Sequence, residues 1–295
     1  MEVTKSHLMP DGTLVHYRLA RAAHRPRGLI VLLHGMASNL TRWSEFVEHT
    51  ALRQHWDILR LDLRGHGQSF MRGRINAKVW SGDLVELLDA ERCERAVLIG
   101  HSLGAHLALH FAARFPDRVR ALVLIDPAFP QALRGLWRWL RAFRPLLSVG
   151  AMFIRLLNAL GLRRRRIPLR DLRVLDEQVR SELLGSGKSH EFVDRYSSPL
   201  ADLKFFPVGH YLQELIEMLR PLPKPADLNT PILVLLSRAV TYTDPMITQR
   251  LFANLPQVES ATIDAYHWPL TEKPAEVRAA IEKWFAKRLM EPMGN

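Results

Sequence analysis

The sequence is poor in cysteine and in long apolar runs. Its 295 residues include one cysteine, Cys93, so an internal disulfide framework is excluded. No uninterrupted apolar run reaches the roughly 18 residues that a membrane-spanning helix requires, because the longest candidate, residues 145–161, contains Arg155. The opening MEVTKSHLMPDG lacks the apolar segment of a signal peptide. Together these absences predict a cytoplasmic protein, either free in solution or peripheral to the membrane.

Acidic residues are nearly absent from residues 129–173, which contain eleven arginines and a single acid, Asp171. This stretch carries about +10 of the formal net charge of +11. No nucleic-acid-binding motif accompanies the charge, so no nucleic acid partner is predicted. Bulky apolar residues between the arginines are typical of helices that lie on anionic lipid. Docking of an acidic protein, such as an acyl carrier protein, and a buried apolar face with solvated arginines are the two alternatives.

Apolar strand-like segments alternate with helical ones along most of the chain. The pattern indicates an α/β fold with a mostly parallel, doubly wound central sheet. Residues 128–229 lack a strand pattern, and we expect a helical cap inserted over the C-terminal edge of the sheet. The core is then formed by residues 1–127 and 230–295. Strands are predicted at residues 28–35, 56–64, 95–100, 119–127, 231–237 and 258–266, and helices at 41–54 (with Thr41 as the N-cap), 76–92, 103–116, 244–256 and 274–289.

One joint between a strand and a helix has an unusual composition. The stretch AVLIGHSLGAHLALHF, residues 96–111, changes from strand to helix through Gly100-His101-Ser102-Leu103-Gly104. G-x-S-x-G at such a joint is the pattern of a nucleophile elbow, which presents the serine hydroxyl at a helix N-terminus. A glycine-rich turn with an N-capping serine has the same pattern. The motif therefore needs support from other parts of the chain.

Two other segments supply partners for Ser102. LLHGMAS ends an early strand at Gly35, and the Met36 amide that follows can form a two-donor oxyanion hole with the Leu103 amide. DAYHWPL places His267 just after the last strand, at the same edge of the sheet. In this position we expect His267 to act as the base that activates Ser102. No histidine and cysteine cluster with metal-ligand spacing is present in the sequence.

Together these residues resemble the α/β-hydrolase fold superfamily, in its capped serine-hydrolase branch. The resemblance implies that Ser102 is the nucleophile, His267 the general base, and the Met36 and Leu103 amides the oxyanion donors, with no cofactor and no metal. LDLRGHGQS, residues 61–69, also matches the family, in which it shapes the site without doing chemistry. Serine rather than aspartate at position 102 argues against the epoxide-hydrolase and haloalkane-dehalogenase branches.

The acid of the triad is missing from its usual place. In the family it follows the penultimate strand, and aligning PILVLLSRAVTYTDP by its strand start puts Val240 there. Asp126, at the end of the strand after the nucleophile helix, is the preferred substitute. Asp244 is the alternative acid, although it is also placed to cap the following helix. A dyad without an acid is the third possibility.

The combined pattern predicts a carboxylic-ester hydrolase that works by two-step acyl transfer. The expected substrate is a small-molecule ester, lipid-like or acyl, of medium to long chain. A C–C bond hydrolase of aromatic degradation is the alternative within the same fold. A non-catalytic ligand-binding protein is the competing class, favoured by Val240 at the acid position and opposed by the intact elbow, oxyanion segment and His267.

Overall fold

An eight-stranded sheet forms the centre of the molecule. The computed structural model describes residues 2–71, 73–164, 166–184 and 189–289. The strands are β1 (Glu2–Leu8), β2 (Leu14–Ala20), β3 (Leu29–Leu33), β4 (Asp57–Leu61), β5 (Ala96–His101), β6 (Val119–Ile125), β7 (Ile232–Ser237) and β8 (Val258–Ile263). Their order is β1-β2-β4-β3-β5-β6-β7-β8. The pairs β1–β2 and β2–β4 are antiparallel and all other neighbouring pairs are parallel, which confirms the predicted mostly parallel sheet.

Helices follow most of the strands. They are α1 (Ser44–His49), α2 (Ala77–Ala90), α3 (Leu103–Arg114), α4 (Gly135–Leu140), α5 (Arg144–Ala159), α6 (Leu172–Val179), α7 (Ser189–Tyr196), α8 (Pro199–Asp202), α9 (Val208–Met218), α10 (Pro245–Phe252), α11 (Pro269–Glu272) and α12 (Pro274–Arg288). Helices α4 to α9 lie between β6 and β7, and in this segment the described residues include no strand. Among the helices that the structure describes, none combines the length and apolarity needed to cross a bilayer.

Side chains of the inner strands pack alternately on the two faces of the sheet. On β3, Leu29, Val31 and Leu33 join the core beneath α2 and α3, whereas Ile30 and Leu32 join the core beneath α1 and α12. Every residue of β3 is buried. A parallel strand covered on both faces requires such a continuous apolar run, so the predicted doubly wound arrangement is confirmed.

Two local features differ from the sequence predictions. The hairpin of β1 and β2 was not predicted, because the edge strand β1 is largely polar and exposed and so lacks an apolar alternation. The predicted helix over residues 41–54 is wrong: a helical turn at Leu40–Trp43, α1 and a turn at Ala51–Gln54 replace it. The first turn is capped by Asn39 rather than Thr41, and the chain extends at Thr50, whose hydroxyl caps the next turn.

Candidate active site

Ser102 lies in the turn between β5 and α3, where the backbone is strained. Its φ of 51° and ψ of −113° are rare for a residue with a side chain. The Ser102 N–H donates to the Ile125 carbonyl at 3.0 Å, and the Ser102 carbonyl accepts from the N–H groups of Ala105 and His106. These hydrogen bonds hold the strained turn in place at the N-terminus of α3.

The two glycines of the elbow allow the helix to approach the sheet. A Cβ atom on Gly100 would lie 2.3 Å from the Gly104 carbonyl, and one on Gly104 would lie 2.1 Å from the Leu33 carbonyl oxygen. Both atoms belong to backbone, which cannot move aside as a flexible side chain can. The G-x-S-x-G spacing is therefore required by the packing of α3 against β3 and β5.

We expect Gly104→Ala to lower the free energy of unfolding by about 3 kcal/mol or more, because the added methyl group overlaps the Leu33 backbone. Gly82→Ala is the matched control, since a Cβ on Gly82, within α2, meets no atom within 4 Å. That change should raise stability by roughly 0.5–1 kcal/mol through helix propensity. Urea unfolding measures both, and equal stabilities of the two variants would contradict the packing argument.

A chain of hydrogen bonds joins Ser102, His267 and Asp126. His267 Nε2 lies 2.9 Å from Ser102 Oγ, and His267 Nδ1 lies 2.5 Å from Asp126 Oδ2. All three side chains are buried. Because the Asp126 carboxylate accepts, Nδ1 carries the ring proton, which leaves Nε2 to accept from the Ser102 hydroxyl. The structure thus brings together the three side chains that the sequence analysis names as serine, base and preferred acid.

The environment of Asp126 favours its charged form. Burial is the largest influence and opposes ionisation, but the hydrogen bond and electrostatic attraction of the His267 ring outweigh it, with help from the Ser237 N–H at 3.1 Å. The pKa of the Asp126 carboxyl therefore lies below its ordinary value. The backbone of Asp126 is also in the left-handed region, with φ of 45°, and its N–H donates to the Leu235 carbonyl. An ionised carboxylate is thus fixed beside Nδ1.

Asp244, the alternative acid, has a structural role. Its Oδ1 accepts from the Met246 N–H at 2.9 Å at the start of α10, and its other oxygen pairs with Arg134. In the described part of the chain no hydrogen bond joins Asp244 to His267. Val240 is 54% exposed. The carboxylate that contacts His267 is thus that of Asp126, directly after β6, whereas Asp244 caps α10.

The two candidate oxyanion donors flank the serine. A Cβ on Gly35 would lie 3.5 Å from the Ser102 Cβ, which places the loop of Met36 next to the elbow. Among the described residues, neither the Met36 N–H nor the Leu103 N–H donates a hydrogen bond to the protein. Both amides therefore remain available as the predicted donors to an oxygen at Ser102.

Two residues that the sequence analysis did not single out support the site. His101 Nε2–H donates to the His267 carbonyl at 2.8 Å, and burial, followed by the nearby His267, lowers the pKa of His101 to about 3. Glu214, fully buried on α9, accepts from the Ala37 N–H at 3.0 Å and pairs with His66. It thereby fixes the loop that carries Met36. His101 stands inside the G-x-S-x-G motif, whereas no sequence signal links Glu214 to residues 177 positions away.

A small cavity of about 110 Å³ opens at Ser102. Much of its wall comes from the helical segment between β6 and β7. The wall as a whole is mainly apolar and aromatic and includes Leu133, Trp137, Tyr196, Tyr211, Tyr242 and Trp268. The Tyr242 ring lies 4.9 Å from the His267 ring. No group of three or more potential metal-ligating side chains occurs within the described residues.

Asp202, on α8, is an acidic residue in the wall of this cavity. Burial raises the pKa of its carboxyl to about 7; Glu214 adds to this rise, whereas Arg170 and Arg42 oppose it. The side chain therefore gains its charge near neutral pH. Above that pH a neutral apolar ligand therefore meets an added negative charge in the wall of the cavity, which also contains Arg42.

For a neutral ester, we expect KM to rise by roughly fivefold as the pH increases through 7, because ionised Asp202 must remain solvated in the cavity. In Asp202→Asn this rise should disappear. The measurement is KM for p-nitrophenyl butyrate between pH 6 and 8.5. If KM of the Asp202→Asn variant depends on pH as KM of wild type does, Asp202 does not control binding.

The chain matches the family described as the Alpha/beta hydrolase family over residues 30–280. It therefore belongs to that family, in agreement with the sheet order and the elbow. It is 34% identical over 99 residues to the esterase YbfF of Escherichia coli (34% of this chain, 38% of that protein). It is 32% identical over 140 residues to a 2-hydroxymuconate semialdehyde hydrolase of a Pseudomonas species (44% and 50%).

Structural comparison extends the similarity to nearly the whole chain. The structure superposes on the enol-lactonase of Burkholderia xenovorans with a TM-score of 0.68 and 20% identity, covering 96% of this chain and 100% of the other. At this identity the superposition establishes the fold. The chain spans 28% of the length of the curated relatives that it matches at 36% identity.

Proposed function

We propose that the protein is a serine hydrolase that cleaves carboxylic esters through an acyl-enzyme on Ser102. The observation that carries the proposal is the buried hydrogen-bond chain from Ser102 Oγ through His267 to Asp126. A serine within hydrogen-bond reach of a base, itself oriented by a carboxylate, is the arrangement that activates a hydroxyl for attack on a carbonyl. The similarity to a bacterial esterase supports this chemistry.

In the first half-reaction, His267 Nε2 takes the proton of the Ser102 hydroxyl while Oγ attacks the ester carbonyl. The carbonyl oxygen becomes negatively charged and accepts from the Met36 and Leu103 amides. The tetrahedral intermediate collapses, the bond to the alcohol oxygen breaks, and the alcohol leaves with the proton from His267. Asp126 holds the ring orientation and stabilises the imidazolium between these transfers.

In the second half-reaction, a water molecule replaces the alcohol. His267 Nε2 takes a proton from this water, whose oxygen attacks the acyl carbonyl on Ser102. The same two amides bind the oxyanion, and the bond between Oγ and the acyl carbon breaks. Ser102 regains its proton from His267, and the carboxylic acid is released.

The cavity indicates which part of the substrate is enclosed. Its volume of about 110 Å³ is below the roughly 300–1,000 Å³ of pockets that bury a whole drug-sized ligand. It holds the ester group and the carbons next to it. The rest of a medium or long acyl chain, which we propose as the substrate class, extends through the mouth past the aromatic wall of residues such as Trp137 and Tyr211.

A series of p-nitrophenyl esters from acetate to dodecanoate tests the proposal. We expect every member to be hydrolysed, with kcat/KM greatest for acyl chains of medium to long length. A maximum at acetate would restrict the substrate class to short esters. The esterase proposal is refuted if the folded protein hydrolyses none of these esters and forms no acyl-enzyme.

A C–C bond hydrolase is the second candidate. It is favoured by the 32% identity to a 2-hydroxymuconate semialdehyde hydrolase, which extends over more residues than the match to the esterase. The same serine and histidine serve this reaction, so the site geometry does not distinguish the two. Turnover of a dienoate-like diketone faster than any ester in the series would select this alternative.

A further inference from the structure

The outward side of α5 is apolar. Leu146, Val149, Phe153 and Leu156 of α5 and Leu160 at its C-cap follow one another at spacings of three or four residues, and each is between 56% and 70% exposed. This spacing places them along one side of the helix. We refer to these five residues as the α5 face.

The α5 face does not contribute to the core. The opposite side of α5 packs on α9, where Ala151 is buried and a Cβ on Gly209 would lie 3.2 Å from Ile154. The helix is therefore anchored by its inner residues. An additional exposed stripe of large apolar residues on a protein surface marks a contact with a partner or a membrane.

Unpaired positive charge occurs on α5 and on the segments next to it in the sequence. Five arginines of α4, α5 and the adjoining segments form no ion pair with the described residues: Arg138, Arg141, Arg144, Arg155 and Arg163. No acidic residue occurs between Asp126 and Asp171 in the sequence, so the charge is not neutralised locally. Arg165, which belongs to the same arginine-rich stretch, lies outside the described residues.

We propose that the α5 face docks on a lipid surface with anionic headgroups. The apolar stripe enters the boundary between headgroups and acyl chains, while the arginines pair with lipid phosphates. A second copy of the chain fits this surface poorly, because pairing two α5 faces brings two sets of arginines together. An acidic protein would neutralise the arginines, but it would not by itself account for five large apolar side chains exposed in one stripe.

The location of the surface connects it with the cavity. Trp137 on α4 lines the cavity at Ser102, and Trp139 on the same helix is 61% exposed beside the arginines. Trp137 and the α5 residue Leu147 pack against the same buried cluster, so α5 adjoins the helix that lines the cavity. The docking role goes beyond the proposed ester chemistry and does not require it.

Vesicle co-sedimentation of the full chain tests the docking. The probes are vesicles of phosphatidylcholine alone and of phosphatidylcholine with one third phosphatidylglycerol. We expect binding to the anionic vesicles that weakens with salt, and about a tenfold loss of partitioning in Phe153→Glu and in Leu156→Glu. Leu8→Glu is the matched control, because Leu8 is an exposed leucine on the edge strand β1, and it should bind like wild type.

Hydrolysis of p-nitrophenyl acetate by each variant, together with its circular dichroism, reports whether the variant is folded. Vesicle binding is measured without substrate, so a failure of the docking proposal is distinguishable from a failure of the esterase proposal. Equal binding of wild type and the Phe153→Glu and Leu156→Glu variants, or no binding to anionic vesicles, would overturn the proposal. The proposal would also be overturned by a wild-type dimer that dissociates in these two variants. Binding of wild type to an acidic carrier protein without binding to vesicles would overturn it as well.

Discussion

Ser102→Ala is expected to abolish ester hydrolysis, with a loss in kcat of at least about 10⁵-fold. In the proposed mechanism the Ser102 oxygen forms the acyl-enzyme, and this oxygen lies 2.9 Å from His267 Nε2. The same change should prevent labelling by a fluorophosphonate, which forms a covalent bond to an activated serine with loss of fluoride. His267→Ala should also prevent labelling, because without the base Ser102 keeps its proton.

Ser38→Ala provides the control for this experiment. Ser38 lines the same cavity, and its hydroxyl has no hydrogen-bond partner within the described residues. The variant should label and turn over like wild type. If wild type is folded but is not labelled, the protein belongs to the non-catalytic ligand-binding class. If Ser102→Ala is still labelled, another residue is the nucleophile.

Asp126→Asn is expected to lower kcat by about 10⁴-fold with little change in KM. The amide nitrogen of asparagine can donate to His267 Nδ1, which favours the tautomer whose Nε2 carries the proton and cannot accept from Ser102. The negative charge that stabilises the imidazolium is lost as well. The measurement is steady-state hydrolysis of a p-nitrophenyl ester, together with the rate of fluorophosphonate labelling.

Asp244→Asn is the matched comparison, because it neutralises the alternative acid. We expect kcat to stay within about twofold of wild type, since Asp244 caps α10 and pairs with Arg134. A small decrease in Tm should accompany the loss of the ion pair. The opposite result, a large loss in Asp244→Asn and a small one in Asp126→Asn, would show that the acid rearranges during catalysis.

The sequence by itself determined the features that depend on local spacing. The buried runs of β3, β5 and β7 and the helices between them predicted the parallel sheet, because a strand covered on both faces must be apolar throughout. Gly100 and Gly104 identified the elbow, since only glycine permits so close an approach of helix and sheet. Chain order then indicated His267 at the same edge.

Only the tertiary structure decided which groups meet across the sheet. Asp126 and Asp244 are both aspartates near strand ends, and the choice between them depends on the direction in which each loop leaves the sheet. The support of the Met36 loop by Glu214 likewise joins residues distant in sequence. Which side of α5 is exposed depends on which side α9 covers. Because α5 is apolar on two sides, its sequence does not indicate which of them is buried.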